Sequence, residues 1–145
     1  MRTVEDGAGR RFLLLKRSSS SSLVRDADTG EVLHRPTGEL TVVEGTSPLE
    51  TAAGGVPPAA RKLLTAVHDD RTLGLLVALE SADGLPARAL LAAEDYCESD
   101  LHGLLGELRA AGLVQAATVD GEEGYRLTDG AAAVVRALQS ASASG

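Results

Sequence analysis

The chain carries few of the residue sets that do covalent chemistry. Its three histidines, His34, His68 and His102, are scattered, and Cys97 is the one thiol. A structural zinc site gathers four Cys and His ligands, so neither a metal nor another cofactor is expected. Hydrolytic catalysis needs a nucleophile, a base and a group that orients the base. No such combination stands out, and the carboxylate pairs Asp69-Asp70, Glu94-Asp95 and Glu122-Glu123 fall at helix ends and loop tips, where charge is ordinarily solvated. The expectation is a protein that is not an enzyme. Cys97 opens a helical pattern beside Glu98. A thiol at a helix N-terminus can have a lowered pKa and sense oxidants; the other reading, which the sequence favours, is a small buried side chain at the helix start.

Binding of a charged partner is the chemistry that remains. Arg10, Arg11, Lys16, Arg17, Arg25 and Arg35 fall within 26 positions. In a small sheet several could share a face, the alternative being ordinary exposed strand-edge charge. Acidity belongs to the second part of the chain: residues 1–55 carry a net −1 and residues 56–145 a net −6.

The elements that must position these groups are legible from periodicity and breakers. Strand-like runs at 11–17, 21–26, 31–35 and 39–44, with turn chemistry at 26–30 and 36–38, predict a small antiparallel β-meander over residues 1–45. The serines at 18–22 are either a flexible low-complexity segment or a hairpin connection that enters the next strand. Residues 46–57 read as a linker. Helices are predicted from Pro58 to about 67, from about 70 to 82 with Leu73, Leu76, Val77 and Leu79 buried, and from Pro86 to about 93 with Leu90 and Leu91 buried. The fourth helix, 98–111, is the clearest. Leu101, Leu104, Leu105 and Leu108 follow i, i+3, i+4, i+7 spacing, acids fill the first turn, Arg109 lies in the last, and Gly112 ends it. A strand at 113–119, a hairpin tip at 120–124, a return strand at 125–128 and a last helix at 131–138 follow, with 140–145 as a disordered tail. The fold class expected is α+β, a β-meander followed by a helix-rich domain over 58–139.

The string Leu101-x-x-Leu104-Leu105-x-x-Leu108-x-x-x-Gly112-Leu113-Val114, followed by Gly124-Tyr125-x-Leu127-Thr128, resembles the winged helix-turn-helix regulators of the MarR and ArsR type over about residues 70–138. The resemblance implies that residues 58–139 form a winged helix-turn-helix domain. Its fourth helix would lie in the major groove with its N-terminal half toward the bases. The DNA-facing positions would then be Ser99, Asp100, His102, Gly103 and Gly106, with Arg88 and Arg109 nearest the phosphate backbone and Arg126 on the wing. The whole chain, with its Leu-Leu-Leu-Lys-Arg-Ser opening and Cys-Glu-Ser-Asp-Leu-His-Gly segment, also resembles a family of small uncharacterised haloarchaeal proteins. That likeness implies salt adaptation and brings no activity.

Non-specific DNA affinity comes mainly from neutralised phosphates, and this face offers three arginines against Asp100, Glu107, Asp120, Glu122 and Glu123. In concentrated salt counterion release contributes little, and hydrated cations can sit between carboxylate and phosphate, so the acidity weighs less there. Two readings follow. One is a transcriptional regulator that binds double-stranded DNA in a high-salt cytoplasm. The other is a winged-helix interaction module that docks a basic protein partner, or forms a homodimer through the helices at 58–67 and 131–138, without touching DNA. Twelve of the fourteen basic residues are arginine, which suits a high-GC genome, and the acidic surplus suits a salt-rich cytoplasm. No apolar run reaches the roughly 18 residues of a membrane span. The run at 12–15 is followed by Lys16, Arg17 and serines instead of a cleavage site, and one cysteine excludes an intramolecular disulfide. The expected compartment is the cytoplasm, with no membrane partner.

Overall fold

A computed structural model describes residues 1–93 and 96–144, which leaves the Glu94-Asp95 pair outside the described residues. The chain is α+β and divides into two compact units, Met1–Pro57 and Pro58–Gly145.

The first unit is an antiparallel sheet of strands β1 (Arg2–Glu5), β2 (Arg11–Arg17), β3 (Ser21–Asp26), β4 (Val32–Pro36) and β5 (Thr41–Val42), in the order β4-β3-β2-β1-β5. The first four form a meander, and β5 returns to pair with β1. Alternation along the strands sends Val4, Phe12 and Val24 to one face, where Leu14, Leu33, Leu40 and Val42 pack on them. Thr3 and Leu13 are buried on the other face. Helix α1 (Pro48–Ala53) packs against β1 and β2, and its Thr51 hydroxyl lies 2.7 Å from that of Thr3.

The sequence reading of 46–57 as a linker is corrected by α1. The Ser47 side chain accepts from the Glu50 amide and Pro48 opens the first turn, so a short helix starts despite the flanking glycines. Strand β1 was not anticipated, and the strand expected at 39–44 shrinks to two residues because Thr37–Glu39 turn as a 3-10 helix. The serine run divides. Ser21 and Ser22 belong to β3, and Ser18 fastens the connection by donating to the Ser21 carbonyl.

The second unit runs α2 (Pro58–Ala66), α3 (Asp70–Ser81), β6 (Leu85–Pro86), α4 (Ala87–Ala92), α5 (Glu98–Ala110), β7 (Val114–Val119), β8 (Glu122–Leu127) and α6 (Asp129–Ser144). Its three strands form an antiparallel sheet in the order β6-β8-β7. One apolar core joins Leu63, Leu76, Leu90, Leu108, Leu127 and Val135, drawn from five helices and the hairpin. Asp69 caps α3 by accepting from the Thr72 amide at 2.7 Å, and Asp83 and Gly84 end that helix at φ of 52° and 109°.

Several expected burials move. Helix α3 buries Thr72, Leu75, Leu76 and Leu79, with Leu73 and Val77 half-buried at the edges of the stripe. In the six-residue α4 only Leu90 turns inward, and Leu91 is exposed. The hairpin tip is tighter than 120–124. Asp120 and Gly121 both take positive φ, 52° and 77°, the two-residue turn that an Asp-Gly pair favours, so β8 begins at Glu122. Helix α6 continues to Ser144, into the residues read as a tail, where alanine favours helix.

Candidate functional site

Helix α5 is held by one face and bare on the other. Leu101, Leu105 and Leu108 are buried, and Gly112 at φ 75° turns the chain into β7. Tyr96, just before the helix, packs against the same core, with the Arg71 guanidinium 4.3 Å from its ring centroid. Cys97 is therefore displaced outward. Contrary to the buried reading it is exposed, with its sulfur 3.4 Å from the Ser99 hydroxyl.

The outer stripe brings together Ser99, His102, Gly103, Gly106 and Arg109, all exposed and spaced by three or four residues, with Asp100 and Glu107 beside them. His102 Nε2 lies 4.0 Å from Glu98 Oε1. A Cβ added at Gly103 or Gly106 would meet nothing within 4 Å, so packing does not require glycine there. His102 also forms one wall of an open groove of about 580 Å3, whose other lining includes Ala87, Ala116, Thr118, Glu123 and Tyr125.

Glu123 and Tyr125 project from β8 into that groove, so strand alternation sends Glu122 and Arg126 to the opposite face. There Arg88, in the first turn of α4, grips Glu122 through two hydrogen bonds. Its Nε donates to Oε1 at 2.7 Å and Nη2 to Oε2 at 3.0 Å. The interaction holds the Glu122 carboxyl below its ordinary value and raises Arg88. Arg126 donates through Nε and Nη2 to the Asp83 carbonyl, both at 3.3 Å, and its Nε is 3.5 Å from the Asp83 carboxylate. Among the described residues no ion pair engages Arg109. Of the three arginines that the resemblance would set near phosphates, two are thus tied to carboxylates. Sequence reasoning missed those partners, Glu122 and Asp83, because they lie 34 and 43 residues away.

Three of the first unit's cations are also engaged. Arg10 pairs with Asp26, Arg11 with Glu5 at 3.6 Å, and Arg35 with Asp6 at 3.1 Å and Glu39 at 3.7 Å. Arg10 and Arg35 both lie over the Phe12 ring, at 5.6 and 5.5 Å from its centroid. Arg25, opposite Leu13 in the register, leaves by the other face, so the six do not form one basic surface. Among the described residues no three Cys, His, Asp or Glu side chains group as metal ligands. No described helix is long and apolar enough to cross a membrane.

The model of a family of unknown function, DUF7346, matches residues 1–139, and the chain belongs to that family. No curated protein and no solved structure matches it.

Proposed function

We propose that this member of the DUF7346 family is a non-enzymatic transcriptional regulator that binds double-stranded DNA, in a salt-rich cytoplasm, through a winged helix-turn-helix formed by α3, α4, α5 and the β7–β8 hairpin. The observation that carries this reading is the uncovered outer stripe of α5. A helix anchored by Leu101, Leu105 and Leu108 and free of neighbours at Gly103 and Gly106 suits a major groove about 12 Å wide. The two glycines let its backbone come close to the base edges. Ser99 and His102 are the hydrogen-bonding readers, and Arg109 reaches phosphate.

With at most three arginines on phosphates, the logarithm of affinity should fall against the logarithm of salt with a slope no steeper than about −3. Fluorescence anisotropy with duplexes from the protein's own promoter, from dilute to molar potassium chloride, tests this. Arg88→Ala with Arg109→Ala is expected to flatten the slope by about 2. Absence of binding at every salt concentration overturns the reading.

The Arg88–Glu122 and Arg126–Asp83 pairs favour a second reading. They leave Glu98, Asp100, Glu107 and Glu123 as an acidic surface, which suits a basic protein partner. Leu64 of α2 and Leu138 of α6, 70% and 51% exposed, suit a second copy of the chain. Purification in native salt separates the two, since this reading requires a stoichiometric protein partner or dimer and no bound DNA.

A further inference from the structure

We propose that Glu122 is an intramolecular stand-in for a DNA phosphate, its carboxylate filling the seat on Arg88 that a backbone phosphate takes in the complex. This rests on the DNA-binding reading above. The guanidinium meets both carboxylate oxygens, at 2.7 and 3.0 Å. That planar two-point grip is the one arginine also uses for phosphate. The pair joins the first turn of α4 to the first residue of β8, 34 positions apart, so it is a built contact between elements and not a local accident of helix spacing.

Exposure makes the exchange feasible. The side chains of Arg88 and Glu122 are 75% and 43% exposed, and exposed ion pairs contribute little to stability. A phosphate can therefore displace the carboxylate without disturbing the core. Arg126 differs, because it donates twice to the Asp83 backbone carbonyl and is fastened to the fold as well as to a carboxylate. Glu123 supplies a control: it carries the same charge one residue further on, faces the groove on the other side of the hairpin, and has no ion pair among the described residues. Wild-type protein must break the Arg88–Glu122 contact before Arg88 can take the phosphate, and that cost subtracts from affinity.

The test is a double-mutant cycle read by DNA anisotropy across a potassium chloride series, using the full chain and promoter duplexes. Glu122→Gln is expected to tighten binding about three- to tenfold beyond Glu123→Gln, because Arg88 no longer has to give up a carboxylate to take its phosphate. In an Arg88→Ala background, Glu122→Gln should do no more than Glu123→Gln. Equal effects of the two glutamines with Arg88 intact overturn the proposal, as does an excess for Glu122→Gln that persists without Arg88. If folded wild type and every variant, checked by circular dichroism, bind no DNA at any salt, the proposal falls together with the DNA reading. Wild-type binding without the Glu122 excess removes the proposal alone.

Discussion

Asp26 ends β3 with its side chain 3% exposed and its carboxylate satisfied on two sides. The amides of Asp28 and Thr29 donate to Oδ1 at 2.8 and 3.1 Å, and the Arg10 guanidinium donates to Oδ2. Burial pushes this carboxyl up, but the two amides and Arg10 together outweigh it and hold it below its ordinary value. Asp6 repeats the arrangement: the Arg10 amide, which dominates, the Ala8 amide and Arg35 lower it against the same desolvation. A carboxyl depressed in the folded state contributes stability that is present above its unfolded pKa of about 3.9 and lost as pH falls through the lower folded value. Melting temperature is therefore expected to fall below about pH 4. Asp26→Asn should flatten that decline and, at neutral pH, cost on the order of 1 kcal/mol through the lost charge-assisted bond to Arg10. Thermal melts of both proteins across the acid range check it, and identical pH profiles would remove Asp26 from the account. The turn at 26–30 was readable from Asp, Thr and Gly. Its pairing with Arg10, 16 residues earlier, had no local signal.

Glycine separates two kinds of element in this chain. In β8, a Cβ at Gly124 would stand 2.9 Å from Pro86 Cα and closer still to the Leu85 carbonyl oxygen. Only glycine lets β6 lie against β8 there. In α5, a Cβ at Gly103 meets nothing. The same substitution should thus have opposite signs: Gly124→Ala is expected to cost about 1–3 kcal/mol or more by overpacking, and Gly103→Ala to stabilise by up to about 1 kcal/mol through helix propensity. Urea denaturation of both variants reads the signs directly, and a stabilised Gly124→Ala would refute the close approach. Element legibility followed the same physics. Helix α5 was readable because four leucines and a terminating glycine repeat one period, and the hairpin because Asp120-Gly121 permits its turn. Strand β6 has two residues and no periodicity to read. Helix α1 was hidden by the glycines and prolines around it, although Ser47-Pro48-x-Glu50 carries a cap, a first-turn proline and an acid at the third position. The outward stripe of α5 could be placed from helical spacing, whereas the disposition of Arg88 and Arg126 depended on partners distant in sequence.

At the scale of the molecule, charge is divided between units that fold around separate cores. Met1–Pro57 carries seven basic and eight acidic side chains, and Pro58–Gly145 seven and thirteen, so nearly all of the net −7 lies in the second. That partition was countable from the sequence. Which cations are engaged was not. In the second unit the attractive pairs Arg88–Glu122, Arg126–Asp83 and Arg136–Glu80 each have an arginine at least 41% exposed, and such contacts are worth little. Self-repulsion among thirteen carboxylates acts over longer distances and is screened as the Debye length shortens from about 10 Å at 0.1 M salt to about 3 Å at 1 M. Repulsion relieved should outweigh attraction lost, and potassium chloride should stabilise this unit. The first unit has nearly balanced charge, and its Asp26 and Asp6 pairs are short-range with 3% and 5% exposed carboxylates, so salt should move it little. Hydrogen exchange of the full chain, resolved by mass spectrometry, distinguishes the two: amides in 58–144 gain protection as potassium chloride rises, while those in 1–57 change far less. Equal gains in both units would show that a general salting effect, and not the carboxylate surplus, governs stability. Because salt also weakens any phosphate attraction, DNA affinity and exchange protection have to be followed through one salt series. A fall in affinity while 58–144 becomes better protected is then a loss of electrostatic attraction and not of folded protein.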